Sequence, residues 1–159
     1  AIGRIIDSNA PVDSYGVGTH MGTSSDAPVL DVIYKMSEVT DHRGRFMPVM
    51  KFSKGKVTFP GRKQVYRRTD KAGMFARDIL ALEKENIQGI PLLVPVVKKG
   101  VISYRAPGLE GSRRFAAESL ARLPPRLKRI NRTGLYTVEM SRGLRAVRAK
   151  LTRAVRLRR

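Results

Sequence analysis

The sequence predicts an α/β chain whose strands lie in the middle and whose helices close it. Three observations carry this reading: a glycine loop behind a short apolar stretch, a central run of β-branched segments punctuated by Gly and Pro, and a change to helical periodicity after Tyr104. Three regions follow: 1–40, the end of an α/β barrel with a phosphate loop; 41–105, a β-rich segment; and 106–159, a helical segment with a basic tail.

Residues 1–8 look helical, and the chain opens at Ala1-Ile-Gly with no methionine and no capping residue, as though inside an element already under way; a processed initiator methionine would give the same start. Ile5, Ile6 and Val12 flank Asn9-Ala-Pro11, so the order reads helix end, turn, buried strand, then Gly16-Val-Gly18-Thr19. Two glycines spaced by one residue permit positive φ, which lets successive N–H groups converge on an anion, and Thr19 adds a hydroxyl donor. The order is that of the last βα step of a barrel, where the loop holds a phosphate. An ordinary tight turn is the other reading of the same residues.

From Val29 to Val39 the chain is β-branched and semi-alternating; Asp41-His-Arg-Gly44 turns it, and Phe46 to Phe52 returns, which predicts a hairpin. Gly55 and Pro60-Gly61 interrupt it, Gln64 to Arg67 forms another strand, and Met74 to Leu82 is the next apolar stretch. Pro91 to Val97 and Val101 to Tyr104, joined by Lys98-Lys-Gly100, make the clearest hairpin. Ser112 is placed to cap a helix running to Leu123, where Pro124-Pro125 stops it, with a short helical turn over 127–130. Finally Met140, Leu144, Val147, Leu151 and Val155 draw one apolar stripe along a closing helix, with Ser141 as its cap.

At 159 residues and 42% hydrophobic content the chain can bury a core. It has no cysteine, which excludes a disulfide framework and cysteine-based zinc and favours a reducing cytoplasm. No apolar run approaches the roughly 20 residues that span a bilayer, and no signal-peptide pattern opens the chain. The formal charge of +19 points to an anionic partner. Much of that excess is in the tail: 122–159 holds thirteen Lys or Arg and one acid, Glu139. The arginines opposite the apolar stripe read either as a solvated face or as a row that tracks phosphates; the lack of aromatic residues on that helix speaks against base stacking.

Several blocks resemble nicotinate phosphoribosyltransferase, in order and in register: Ala10-Pro-Val-Asp-Ser-Tyr-Gly-Val-Gly-Thr19, Thr23-Ser-Ser-Asp-Ala-Pro28, Val32-Ile-Tyr-Lys35 and Lys56-Val-Thr-Phe-Pro-Gly-Arg-Lys-Gln-Val-Tyr-Arg67. Ser119 to Pro124 and Tyr136 to Leu144 resemble the family's C-terminal segment. The resemblance implies the C-terminal part of a type II phosphoribosyltransferase: the last strand and phosphate loop of an irregular barrel, β-hairpins packing back on an N-terminal domain, then C-terminal helices. It implies the joining of nicotinate to 5-phosphoribosyl 1-pyrophosphate, giving nicotinate mononucleotide and pyrophosphate, with ATP hydrolysis and magnesium. The nicotinate pocket and the histidine that ATP phosphorylates would lie upstream, and the enzyme would be a homodimer without membrane or nucleic-acid partners.

By that resemblance Gly16 and Gly18 face the ribose 5-phosphate, and Thr19 binds the phosphoribosyl substrate. Lys35 corresponds to a lysine near phosphate groups in related nicotinamide-using enzymes; a solvent-facing strand-end lysine is its other reading. Arg62 and Lys63 follow Pro60-Gly61 and either reach phosphate or a neighbouring subunit or simply build a turn. Asp13 either orients a loop amide or is a strand-end aspartate satisfied by backbone, His20 neighbours the phosphate loop, and His42 reads as a hairpin-turn residue. A rival from another class is a small basic RNA-binding or ribosome-associated protein, which the charge supports and the matching blocks leave unexplained. A third reading is a non-catalytic relative that keeps this fold segment.

Overall fold

Two hairpin turns in the computed structural model are built from the same four-residue chemistry. In Asp41-His-Arg-Gly44 the Asp41 carboxylate accepts from the N–H groups of Arg43 and Arg45, both at 2.9 Å. In Asp70-Lys-Ala-Gly73 the Asp70 carboxylate accepts from Ala72 and Met74, again at 2.9 Å. Each turn closes on a glycine in the left-handed region, φ 71° at Gly44 and 78° at Gly73, which a side chain at that position would strain. The hydrogen bond from the Arg45 backbone leads in holding the Asp41 carboxyl below its usual range.

The structure describes residues 2–18, 22, 33–53, 57–129 and 134–157. The chain divides into two compact units, Ala1–Tyr34 and Lys35–Arg159. In the first, α1 (Ile2–Asp7) ends at Asn9, whose φ of 50° closes the helix. No strand follows among the described residues: the chain runs irregularly to Gly18, and Val12, expected in a buried strand, is 45% exposed. A parallel barrel strand exists only through ladder bonds to neighbouring strands, and the described residues of this unit supply none.

The second unit starts with the first of the two turns, joining β1 (Glu38–Thr40) to β2 (Phe46–Pro48) as an antiparallel hairpin, shorter than the sequence predicts. The second turn joins β3 (Lys63–Thr69) to β4 (Phe75–Leu82), the longest pair in the fold. A short β5 (Ile90–Pro91) adds to the far side of β3. The predicted hairpin after it is real but brief: β6 (Val97–Lys98) and β7 (Val101–Ile102) turn through Lys99 and Gly100, with φ of 52° and 78°, which suits the twist of a two-residue loop.

Helix α2 (Gly108–Ala121) begins at Pro107, which offers no side-chain cap. Ser112 lies inside the helix, where its hydroxyl donates to the Gly108 carbonyl at 2.7 Å, so it is not the cap the sequence suggests. The helix stops two residues short of Leu123, and a 3₁₀ turn (Pro125–Leu127) follows. Then comes β8 (Thr137–Met140), which the sequence reading missed; it pairs in parallel with β4 and completes a mixed sheet ordered β5-β3-β4-β8. Met140, read as the start of the helical stripe, therefore belongs to a strand.

The closing helix α3 (Arg142–Arg156) is as predicted from Leu144 onward. It packs on β4 and drives Leu144 to 0% exposure, and Ala81 of β4 is equally sealed. Phe75 is buried as well, and Pro60 is sealed. Among the described residues no helix is long and apolar enough to cross a membrane.

Candidate functional site

The predicted site residues fall in both units. Gly16 and Gly18 are exposed; neither has positive φ, and a Cβ on either would meet nothing within 4 Å, so the expected left-handed turn is not formed there. Thr19 and His20 lie outside the described residues. Lys35 is exposed and precedes β1, Asp13 is exposed beyond α1, and His42 sits in the first hairpin turn as read.

Arg62 and Lys63 build a turn. The Arg62 guanidinium reaches Glu38 and Glu83, each at 3.5 Å, and lies 5.1 Å over the Phe46 ring. Lys63 bends back onto the carbonyls of Phe59 and Gly61. Its burial outweighs the opposing pull of Glu38 and lowers its pKa. Both cations are engaged within the protein.

What the fold assembles is a cluster the sequence did not reveal. Arg67 on β3 and Asp78 on β4 are register partners, and the guanidinium grips the carboxylate with two bonds, Nε to Oδ1 at 2.9 Å and Nη2 to Oδ2 at 2.8 Å. The Tyr136 hydroxyl, just before β8, donates to the same carboxylate at 2.9 Å. Arg67 also lies 4.5 Å from the centre of the Phe75 ring, and Arg122, at the end of α2, lies 4.7 Å from it. Two hydrogen bonds tie the end of α2 to the start of β4 and the turn before it: Phe75 N–H donates to the Arg122 carbonyl at 2.8 Å, and the Arg122 side-chain Nε donates to the Gly73 carbonyl at 3.0 Å.

Beside this cluster opens a cavity of about 500 Å³ walled by Ile90, Leu92 and Phe115, with Arg122 and Glu118 at its polar side. The electrostatics are fixed: the Arg67 bonds, aided by Tyr136 and opposed by burial, hold Asp78 below the usual carboxylate range. Asp78 in turn raises Arg67, and burial followed by Asp78 raises Tyr136. None of the three is poised to exchange a proton near neutrality. The cluster joins β3, β4 and the approach to β8.

A second carboxylate fixes the last helix. Glu85 accepts from Ser141 Oγ at 2.6 Å, Leu82 N–H at 2.8 Å and Gly143 N–H at 3.1 Å. A Cβ on Gly143 would lie 2.6 Å from Glu85 Oε1, so glycine is what lets the first turn approach so closely. Ser141 Oγ also accepts from Leu144 N–H at 3.1 Å, the predicted cap. Burial pushes Glu85 up, but these hydrogen bonds prevail and hold its pKa below normal.

A lowered folded pKa stabilises the protein above the unfolded carboxyl's value, and that contribution is lost as pH falls through the folded one. Ser141→Ala is therefore expected to cost about 1 kcal/mol at pH 7 and to shrink the stability lost on acidification. Thermal melts at pH 7 and pH 3.5 check this, and an unchanged pH 7 melt would refute the cap.

The mixed sheet, its parallel strand β8 and the Ser141-capped helix that follows make an α/β segment. Residues 86–148, which include β8 and the first turns of α3, match the family model of the nicotinate phosphoribosyltransferase C-terminal domain. Over 142 residues the chain is 42% identical to nicotinate phosphoribosyltransferase pncB2 of Mycobacterium tuberculosis, covering 88% of this chain and 29% of that protein. It is 27% identical to the nicotinate phosphoribosyltransferase of Bacillus subtilis over 158 residues, covering 83% of this chain and 32% of that protein.

The chain belongs to the nicotinate phosphoribosyltransferase family, as a C-terminal portion. Human nicotinic acid phosphoribosyltransferase superposes with a TM-score of 0.57 at 26% identity, over 69% of this chain and 27% of the human one. The chain thus spans about three tenths of the length of these relatives.

Proposed function

We propose that the chain works as the C-terminal portion of an enzyme that joins nicotinate to 5-phosphoribosyl 1-pyrophosphate in NAD biosynthesis, releasing pyrophosphate with ATP hydrolysis. The 42% identity to pncB2 over 88% of the chain carries this reading. In that reaction the pyridine nitrogen bonds to the anomeric carbon as the bond to pyrophosphate breaks. The share of this portion is orientation: Gly16 and Gly18 offer backbone N–H groups, and Thr19 its hydroxyl, to the ribose 5-phosphate, while Lys35 supplies a cation to a phosphate group.

Magnesium, which neutralises charge on the leaving pyrophosphate, and ATP are the cofactors of that reaction. The enzyme is a cytoplasmic homodimer; the absence of cysteine supports the reducing compartment and the family resemblance supports the pairing.

The test is Thr19→Val in the complete enzyme, assayed by nicotinate mononucleotide formation. KM for the phosphoribosyl substrate is expected to rise about tenfold, a loss on the scale of one hydrogen bond to a charged group, with KM for nicotinate nearly unchanged. Equal substrate constants in the two proteins would overturn the loop assignment.

A further inference from the structure

Helix α2 is held by little within the described residues. None of its 14 residues is buried, and Pro107 gives its start no side-chain cap. Gly108 and Gly111 in its first turns weaken it further, and an isolated helix of about 12 to 15 residues is marginal in water. Its hydrogen bonds to the sheet region gather at one end, where Arg122 meets Phe75 and Gly73. Toward the sheet Phe115 borders the cavity without filling it and stays 71% exposed. A helix of this composition needs a partner along its length.

The seam for that partner lies about a quarter turn round from Phe115. Leu109, Ser112, Ala116 and Leu120 recur at spacings of three, four and four, and at 100° per residue they fall within about 80° of the circumference. Leu109 and Leu120 stand out at the two ends, 76% and 58% exposed. Between them Ala116 offers a methyl, and the Ser112 hydroxyl is spent on the Gly108 carbonyl at 2.7 Å. The Glu110–Arg113 pair, at 3.3 Å, borders one side. Tall at both ends, low in the middle and about 16 Å long, the seam has the shape that receives a ridge of side chains from a second helix.

The length of the relatives says where that helix comes from. This chain spans about three tenths of them, and α2 lies wholly inside residues 86–148, matched to the family's C-terminal domain. A segment of the same polypeptide meets the seam at an effective concentration of about a millimolar, so it needs far less intrinsic affinity than a separate molecule. We infer that the Leu109–Leu120 seam of α2 is the docking surface for an amphipathic helix from the upstream part of the same polypeptide, and that this contact holds α2 in place. The docking rests on the chain being the C-terminal portion of a longer enzyme; its test follows a thiol and a cross-link rather than turnover, so it fails separately from the phosphate-loop assignment.

In the complete enzyme, A116C and A117C set a thiol on the seam and one about 100° away from it. Alkylation by iodoacetamide, followed by mass spectrometry of the labelled peptide, is expected to be on the order of tenfold slower for the seam thiol in the native enzyme and equal for the two in denaturant. Benzoylphenylalanine in place of Leu120 is then photolysed. The expected product runs at the mass of one chain on a denaturing gel and is joined to a peptide that precedes Ala1. The same group in place of Arg114, on the opposite face, should give that peptide in far lower yield. Equal alkylation rates in the native enzyme would show a free seam. A product of two chains would assign the seam to a second copy, and a cross-link confined to residues 1–159 would assign it to this portion itself; each of these overturns the inference.

Discussion

Asp78→Ala is expected to destabilise the 35–159 unit by about 3 kcal/mol, because it leaves the Arg67 guanidinium half-buried without its anion. Asp78 is 7% exposed and holds three hydrogen bonds, two from Arg67 and one from Tyr136, so little water is placed to take over. The melting temperature should fall by about 10 °C. A double-mutant cycle with Arg67→Ala separates the pair from the packing: the Arg67 variant should make the second substitution far cheaper, whereas additive losses would show that the two act apart.

The pH dependence follows the same sign as for Glu85. With its folded pKa lowered, Asp78 contributes its stability above the unfolded carboxyl's value of about 3.9, and the contribution drains as pH falls through the folded value. Acid stability should therefore decline less steeply in the alanine variant than in the parent.

Leu144→Ala is expected to cost about 3 to 4 kcal/mol. The side chain is 0% exposed, and it joins α3 to a sheet that has few other sealed apolar residues, so the lost transfer energy is joined by that of a cavity. Val147 and Leu151, the next apolar residues of the stripe, are held on the same helix and stay in place when Leu144 is shortened. Denaturant titration should show a lower midpoint with an unchanged slope. A loss below about 1 kcal/mol would mean that α3 is held chiefly by its cap.

The elements legible in the sequence were those whose cause is local. The Ser141 cap and the Leu144–Val155 spacing specify α3, Asp41 and Gly44 specify a turn, and Lys99-Gly100 a two-residue hairpin, all within a few residues. Asp70-Lys-Ala-Gly73 carried the same turn signal as Asp41 to Gly44 and could have been read in the same way.

Three readings differ from the structure for other reasons. Val12 has strand-like neighbours but no ladder, Ser112 has capping chemistry but sits within the helix, and Met140 continues an apolar stripe yet pairs with Leu80 across the sheet. Met140 is decided by a partner 60 residues away, Val12 has no partner strand among the described residues of its unit, and Ser112 is displaced by a helix that starts four residues before it.

By itself the sequence determined the α/β class, the closing helix with its cap, the single-signed face of that helix and the family blocks, because propensity, periodicity and motif spacing are short-range properties. Only the tertiary structure decided that β8 lies parallel to β4, that Glu85 receives the start of α3, and that Arg67, Asp78 and Tyr136 meet. Tyr136 and Asp78 are 58 residues apart, and what joins them is the register of three strands, a long-range packing outcome that no local pattern encodes.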